Sequence, residues 1–334
     1  MARYVADQNS SAFQYESGTY ASASGTNQSI GLTQETSVEE QTNMIDIRFQ
    51  NSASRNVSTF QKGVLDYDIS VPFYPQDWKT LAFALGSCVD AGSPSPYTHV
   101  ISEVNSASGN AFTSGTKLPF MSFTYQQAAK GASTGENSIL TVQGAVIDEW
   151  NMTISPGEPV SVEVTAFGQS GTFTSGAISL PSVSSMRPYM FDDFVVHIPS
   201  GTLIDTTKEI GVNIKNNFAR DDAHYLNGSR VMDIPAPLNR DYEVSLTIDA
   251  SSEFRKTLHE SYLLPGSSFN MMIFGNAKDA GAGSRDVAFI FSGCVLKSMP
   301  NANKTEGVDE DELTISPQSL IVNVNDTIEK YNPW

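Results

Sequence analysis

The stretch Asp66-Tyr67-Asp68-Ile69-Ser70-Val71 returns 175 residues later as Asp241-Tyr242-Glu243-Val244-Ser245-Leu246. In both copies apolar residues alternate with polar ones, the period of two that marks a strand with one buried face. Tyr67, Ile69, Val71 and Phe73 make one apolar row, and Tyr242, Val244, Leu246 and Ile248 make the other. Each strand leads into a helical pattern. Trp78, Leu81 and Leu85 share a face that starts near Asp77 and stops at Gly86. Phe254, Leu258 and Tyr262 share a face behind a Ser251 or Ser252 cap and stop at Pro265-Gly266.

Further matches follow in the same order on either side. Lys79-Thr80-Leu81 recurs as Lys256-Thr257-Leu258, and Gly144-Ala145-Val146-Ile147 as Gly293-Cys294-Val295-Leu296. Thr153-Ile154-Ser155-Pro156 recurs as Thr314-Ile315-Ser316-Pro317. Closing strands alternate through Val160, Val162 and Val164 in one half and through Leu320, Val322 and Val324 in the other. Matches kept in one order point to internal duplication of a single unit. The expected fold is all-β with one short helix per unit: two tandem antiparallel barrels or sandwiches, each helix plugging an open end. The expected first domain spans residues 1–172, with an N-terminal arm over 1–40 and a long irregular loop over 86–116. A linker over 173–189 precedes a second domain over 190–334, which carries an acidic insertion at 301–312.

Composition narrows the function. The chain has 334 residues, 20 basic and 37 acidic, for a net charge of −17. That excludes the basic footprint of a protein that holds DNA by its phosphates, and leaves open both plain solubility and a wall past which a polyanion must slide. No stretch approaches the ~18 apolar residues of a membrane span. The start, Met1-Ala2-Arg3-Tyr4-Val5, lacks an apolar signal core, so folding in the cytoplasm is expected. Cys88 and Cys294 fit neither a metal site nor a disulfide framework and read as free thiols.

Chemistry-bearing motifs are sparse. His99, His197, His224 and His259 show no ligand spacing. His224 follows Asp221-Asp222, which reads as a surface turn. The run from Glu306 to Glu312 lacks the ligand alternation of a calcium loop and reads as a solvated charged loop. No nucleophile elbow, phosphate-binding loop or dinucleotide fingerprint occurs. Carboxylate pairs such as Asp192-Asp193 are not singled out by anything around them. The expectation is no catalytic, cofactor-binding or metal-binding residue, no cofactor and no enzyme.

The opening Ala12-Phe13-Gln14-Tyr15-Glu16-Ser17-Gly18-Thr19-Tyr20-Ala21-Ser22-Ala23-Ser24-Gly25-Thr26, followed by Ile30-Gly31-Leu32, resembles the N-terminal arm of tail tube (major tail) proteins of long-tailed phages and archaeal tailed viruses. The strand-helix unit over 66–86 and the strand pair over 144–169 resemble that family too. The resemblance implies a virion protein, made in the host cytoplasm, whose β-domains close into stacked rings around passing DNA. Its partners would be further copies of itself, a tape measure protein, and tail terminator and baseplate proteins, with no membrane. Loop 86–116 and arm 1–40 would reach the adjacent ring. Because the unit is duplicated, three chains would form a ring of pseudo-six-fold symmetry. Two other readings compete. A baseplate or fibre carbohydrate-binding β-protein would need grouped aromatics, and Trp78, Trp150 and Trp334 show no grouping in sequence. A β-rich glycoside hydrolase is the remaining one.

Overall fold

A computed structural model describes residues 10–16, 20–22, 27–48, 57, 59–92, 95–104, 122–129, 138–175, 186–199, 201–226, 228–249, 252–279, 283–299 and 310–331. Among them the chain is antiparallel β-structure with two short α-helices, Lys79–Leu85 and Ser252–Leu258, the second continued by a π-turn over His259–Leu263. The two strands that open the sequence argument form as their alternation demands. Asp66–Tyr74 buries Tyr67, Ile69, Val71 and Phe73, and Asp241–Asp249 buries Tyr242, Val244, Leu246 and Ile248. Each such burial contributes about 1.5–3 kcal/mol.

One long antiparallel sheet runs through both halves of the sequence. Its order is Ser37–Gln41, Asp66–Tyr74, Ser161–Gly168, the later part of Ser138–Ile154, Thr207–Lys215, Asp241–Asp249, Glu310–Ser316 and the end of Gly283–Ser298. Two further sheets cover its apolar face. The first comprises Ser10–Tyr15, Ser122–Ala129, the early part of Ser138–Ile154 and Ser170–Ser175. The second runs Leu203–Ile204, Phe194–His197, Phe269–Asp279, the early part of Gly283–Ser298, Ser319–Asp326, Tyr97–Glu103 and Gly86–Ala91. Trp78, Trp150, Tyr189 and Phe289 cluster at the centre, with Trp78 and Phe289 edge-to-face at 5.2 Å. Helix Lys79–Leu85 lies in this core, capped by Asp77 at its start and by left-handed Gly86 at its end.

The pairing scheme occurs twice, down to its irregularities. Ser138–Ile154 and Gly283–Ser298 each serve two sheets, and each turns at a left-handed glycine, Gly144 (φ 65°) and Gly293 (φ 61°). Beside each turn Gln169 N–H donates to Gln143 and Gln318 N–H donates to Ser292, at 2.9 and 3.0 Å. A bulge follows each glycine at the same spacing, at Asp148 and at Lys297. These pairings make Ser161–Gly168 the counterpart of Glu310–Ser316, and Ser170–Ser175 that of Ser319–Asp326. The sequence match of Thr153 with Thr314 therefore does not hold in space, because Thr314 occupies the position of Thr165.

Several expectations are corrected. The stretch read as an irregular loop over 86–116 begins as a hairpin, Gly86–Ala91 with Tyr97–Glu103. Tyr97–Glu103 forms because its backbone pairs with Ser319–Asp326 far along the chain, from Ile321–Ser102 to Asp326–Tyr97. Residues 105–121 lie outside the described residues. The linker expected over 173–189 starts inside strand Ser170–Ser175 and ends on Tyr189, which is buried against Trp78; residues 176–185 lie outside the description. The insertion 301–312 runs into strand Glu310–Ser316, and its first nine residues are not described. Within the expected arm, Ser10–Tyr15 pairs with Ser122–Ala129 of its own chain, and residues 1–9, 17–19 and 23–26 lie outside the described residues.

What fastens the arm is Glu16. Its carboxylate is fully buried and accepts hydrogen bonds from Gly144 N–H (2.7 Å), Thr124 Oγ1 (2.8 Å) and Ala21 N–H (2.9 Å). Tyr20 adds a bond from its hydroxyl to Gly144 O. Three donors aimed at one carboxylate offset the cost of burying it. Glu16→Ala strands all three, so we expect a loss of about 3 kcal/mol in denaturant unfolding of the dispersed chain. Unchanged stability would show that the arm is not held there.

Candidate assembly surfaces

The long sheet has one face on the core, and the other is bare except where Phe218, Ala223 and Met232 bury Phe167 and Val146. Strand alternation sends Glu39, Asp68, Glu163, Glu149, Asp241, Glu243 and Glu312 to the bare face, with Ser and Thr between them. The face is confirmed by contacts across strands: Ser70 Oγ donates to Glu163 at 3.1 Å, and Asn213 bonds both Glu149 and Asn151. Lys215 lies on this side, 3.5 Å from Glu149. Those hydrogen bonds and that lysine hold Glu149 below the usual carboxylate range although burial pulls the other way.

The two halves join through backbone. Thr207–Lys215, an early strand of the second half, anneals to the first half from Glu149–Lys215 to Ile154–Ile210. Sequence alternation at Ile210, Val212 and Ile214 shows such a strand, but not its partner. The counterpart of this strand in the first half is Ser37–Gln41, and the counterpart of the edge it covers is the end of Gly283–Ser298. Among the described residues Ser37–Gln41 pairs only with Asp66–Tyr74, and the end of Gly283–Ser298 pairs on one side with Glu310–Ser316. The described long sheet thus ends in two edges without a partner strand that match the two sides of its own internal seam. Unpaired strand edges are the backbone groups most ready to accept another strand.

The residues weighed for chemistry do not converge. Asp193 is bound by Arg187 at 2.6 Å and by Met190 N–H, so the Asp192-Asp193 pair is split by structural bonds. His224 sits after a 3-10 turn, 3.4 Å from Asp66, where Arg220 also binds. Among the described residues no group of three or more His, Cys, Asp and Glu side chains could hold a metal. Cys88 and Cys294 are buried and separate.

One buried polar cluster had no sequence signal. His99 Nδ1 lies 2.7 Å from Asp90 and Nε2 3.3 Å from Asp326, while its ring stacks on Tyr331 at 4.0 Å. Tyr331 donates its hydroxyl to Asp326 at 2.6 Å. The cluster fastens the first half's hairpin beneath the second half's final strand.

The family described as phage tail tube protein matches residues 18–314, most of the length. The chain belongs to the phage tail tube protein family. It is thus a structural protein of the virion tail. No curated protein matches it. Within this tail tube protein, fold and family agree on an all-β scaffold. Among its described residues no helix is long and apolar enough to cross a membrane.

The His99 cluster carries a pH signature. Burial opposes a charge on His99, but bonds to Asp326 and Asp90 and their negative charges outweigh it and raise the pKa above 6.5. A raised folded pKa means the stabilisation is complete below the unfolded value and is lost as pH rises through the folded one. His99→Gln should cost about 3 kcal/mol near pH 6, because two carboxylates lose their counter-charge. The gap to wild type should narrow in denaturation curves taken toward about pH 10. A gap that stays constant would rule out a charged His99.

Proposed function

We propose that this chain is the repeating subunit of the tube, closing into stacked rings by extending its long sheet from copy to copy, with the acidic face lining the channel for DNA. The observation that carries the reading is the internal seam. The chain already contains one junction of the kind a ring needs, and its two open edges are the counterparts of that junction's two sides. A head-to-tail contact that uses two different surfaces closes into a ring when the rotation per copy allows. Transferring the internal register predicts Ser298 opposite Gln41 and Met299 opposite Glu40 of the next copy, in place of Glu149–Lys215 and Trp150–Ile214.

Duplication sets the count. If first and second halves are copies of one domain, divided near 173–189, three chains supply six units per ring. Native mass measurement should give three chains per ring; six would replace the pseudo-six-fold arrangement with a true one. A tape measure protein inside, with terminator and baseplate proteins at the ends, completes the set of partners, and assembly follows synthesis in the host cytoplasm. Two cysteine variants, Gln41→Cys and Ser298→Cys, test the seam directly. Mixed and oxidised, they should form covalent dimers in assembled material that negative-stain images show as tubes or stacked rings. Dispersed single chains at high concentration would overturn the assignment.

The acidic lining keeps DNA from adhering, since carboxylates facing phosphates repel at short range. Replacing Glu149, Glu163 and Glu243 together by Lys should convert tubes from non-binders into DNA binders whose affinity falls steeply with salt. Tubes of the variant that leave DNA free at low salt would argue that this face does not line the channel.

A further inference from the structure

The seam strand of the second half continues into an excursion, residues 216–240, that crosses onto the first half. Phe218, Ala223 and Met232 of this excursion bury Phe167 and Val146 of the long sheet. Phe218 meets Phe167 edge-on at 5.8 Å, and the Arg220 guanidinium lies over the same ring while binding Asp66 and Asp68. Gln169 donates to Met232 O, and Leu65 N–H donates to Arg230 O. The excursion is a clasp seated on the neighbouring half.

The first half has the same excursion at the same place. Strand Ser37–Gln41 leads into a short hairpin, Ile45–Ile47 with Thr59–Gln61, just as Thr207–Lys215 leads into Phe218–Ala219 with Ala236–Pro237. Both excursions start at a left-handed asparagine, Asn43 (φ 41°) and Asn217 (φ 47°). Asn43 donates to Asp66 at 2.8 Å, and Asn217 donates to Asp241 at 2.7 Å. By that alignment Met44 takes the place of Phe218. In the first clasp, by contrast, Met44, Ile45 and Phe60 are 51%, 54% and 59% exposed.

The second half has the matching seat, and no described residue fills it. A cavity of about 320 Å³ is lined by Lys215, Asp241, Tyr242, Glu243, Lys297 and Ser316. Asp241 and Glu243 are the counterparts of Asp66 and Asp68, Ser316 of Phe167, and Lys297 of Asp148. Where the first half holds Phe218 and Arg220, the second half holds no described residue. A clasp without a seat and a seat without a clasp, each matching one side of a contact already made, identify the occupant.

We propose that the Asn43–Gln61 hairpin of one copy, through its described residues 43–48 and 59–61, seats in the cavity between Asp241, Lys297 and Ser316 of the next copy and locks the two together. The proposal rests on the ring reading above and adds to it a second contact on the bare side of the sheet, separate from edge pairing. The exchange of Phe167 for Ser316 opposite Met44 makes this seat roomier and more polar than the internal one, which suits a joint formed between finished chains.

The test uses full-length chains carrying either Met44→Cys or Ser316→Cys; the native Cys88 and Cys294 are buried and stay silent. Mixed under assembling conditions and treated with a short bismaleimide, the two should give a covalent dimer at least about tenfold above either chain alone, since the counterpart ring centroids lie 5.8 Å apart, close but beyond direct disulfide reach from their Cβ atoms. Met44→Asp, which alters an exposed side chain, should cut assembly by a similar factor while the thermal unfolding of the dispersed chain stays unchanged. If tubes form and the Gln41→Cys and Ser298→Cys chains cross-link while the Met44→Cys and Ser316→Cys chains do not, the clasp is wrong and the ring stands. Normal assembly of Met44→Asp would reject the clasp as well. Chains that never associate sink both.

Discussion

The annealing of Thr207–Lys215 to Glu149–Ile154 governs everything else in this molecule. Backbone hydrogen bonds carry no sequence preference, so a strand edge accepts any strand of suitable shape, and a fold that exposes edges must decide what meets them. Here one of the edges is met from within the chain. That junction fixes the angle between the halves, sets both acidic segments on one face, and brings the 216–240 excursion onto Phe167. It also leaves the outermost edges open in the same sense.

A single strand can join two layers only if it bends, and Gly144 and Gly293 supply the bend. A Cβ at Gly144 would meet Tyr20 and Gln169 at 2.9 Å, and one at Gly293 would meet Gln318 at 2.5 Å. The space a side chain would need is taken by the residues that hold the bend in place, and the positive φ disfavours other residues besides. Glu16 then serves the first bend by accepting its N–H, while Asn270 does so for the second at 3.3 Å. The arm is therefore part of the first half's architecture at Glu16, whatever its earlier residues do.

Much of the long sheet was legible in sequence because its strands carry their own signal. Tyr67 to Phe73 and Tyr242 to Ile248 alternate cleanly, and the core helix after Phe73 announces itself by Trp78, Leu81, Leu85 and Gly86. The hairpin over 86–103 was not legible, since Ser, Gly and Pro favour turns and its strand character comes from Ser319–Asp326, which local pattern cannot see. The match between Thr153 and Thr314 failed for a related reason: four short residues can recur at any strand end, whereas register is set by the bulges at Asp148 and Lys297. The His99 cluster joins residues distant in the chain and left no trace in spacing. The seam strand, with its alternation at Ile210, Val212 and Ile214, went unread, and alternation in any case names a face and never a neighbour.

The hairpin lent by the first half to the second has a consequence for how the chain is made. Glu103 and Leu320 are bonded across 217 residues of sequence. During synthesis from the N-terminus the hairpin emerges early and waits, its pairing edge unfilled, until Ser319–Asp326 leaves the ribosome. The second half's covering sheet therefore cannot be finished by either half alone. A nascent chain holds its last sheet open until its two ends meet, so completion of the fold, and with it any polymer grown from it, is timed by translation.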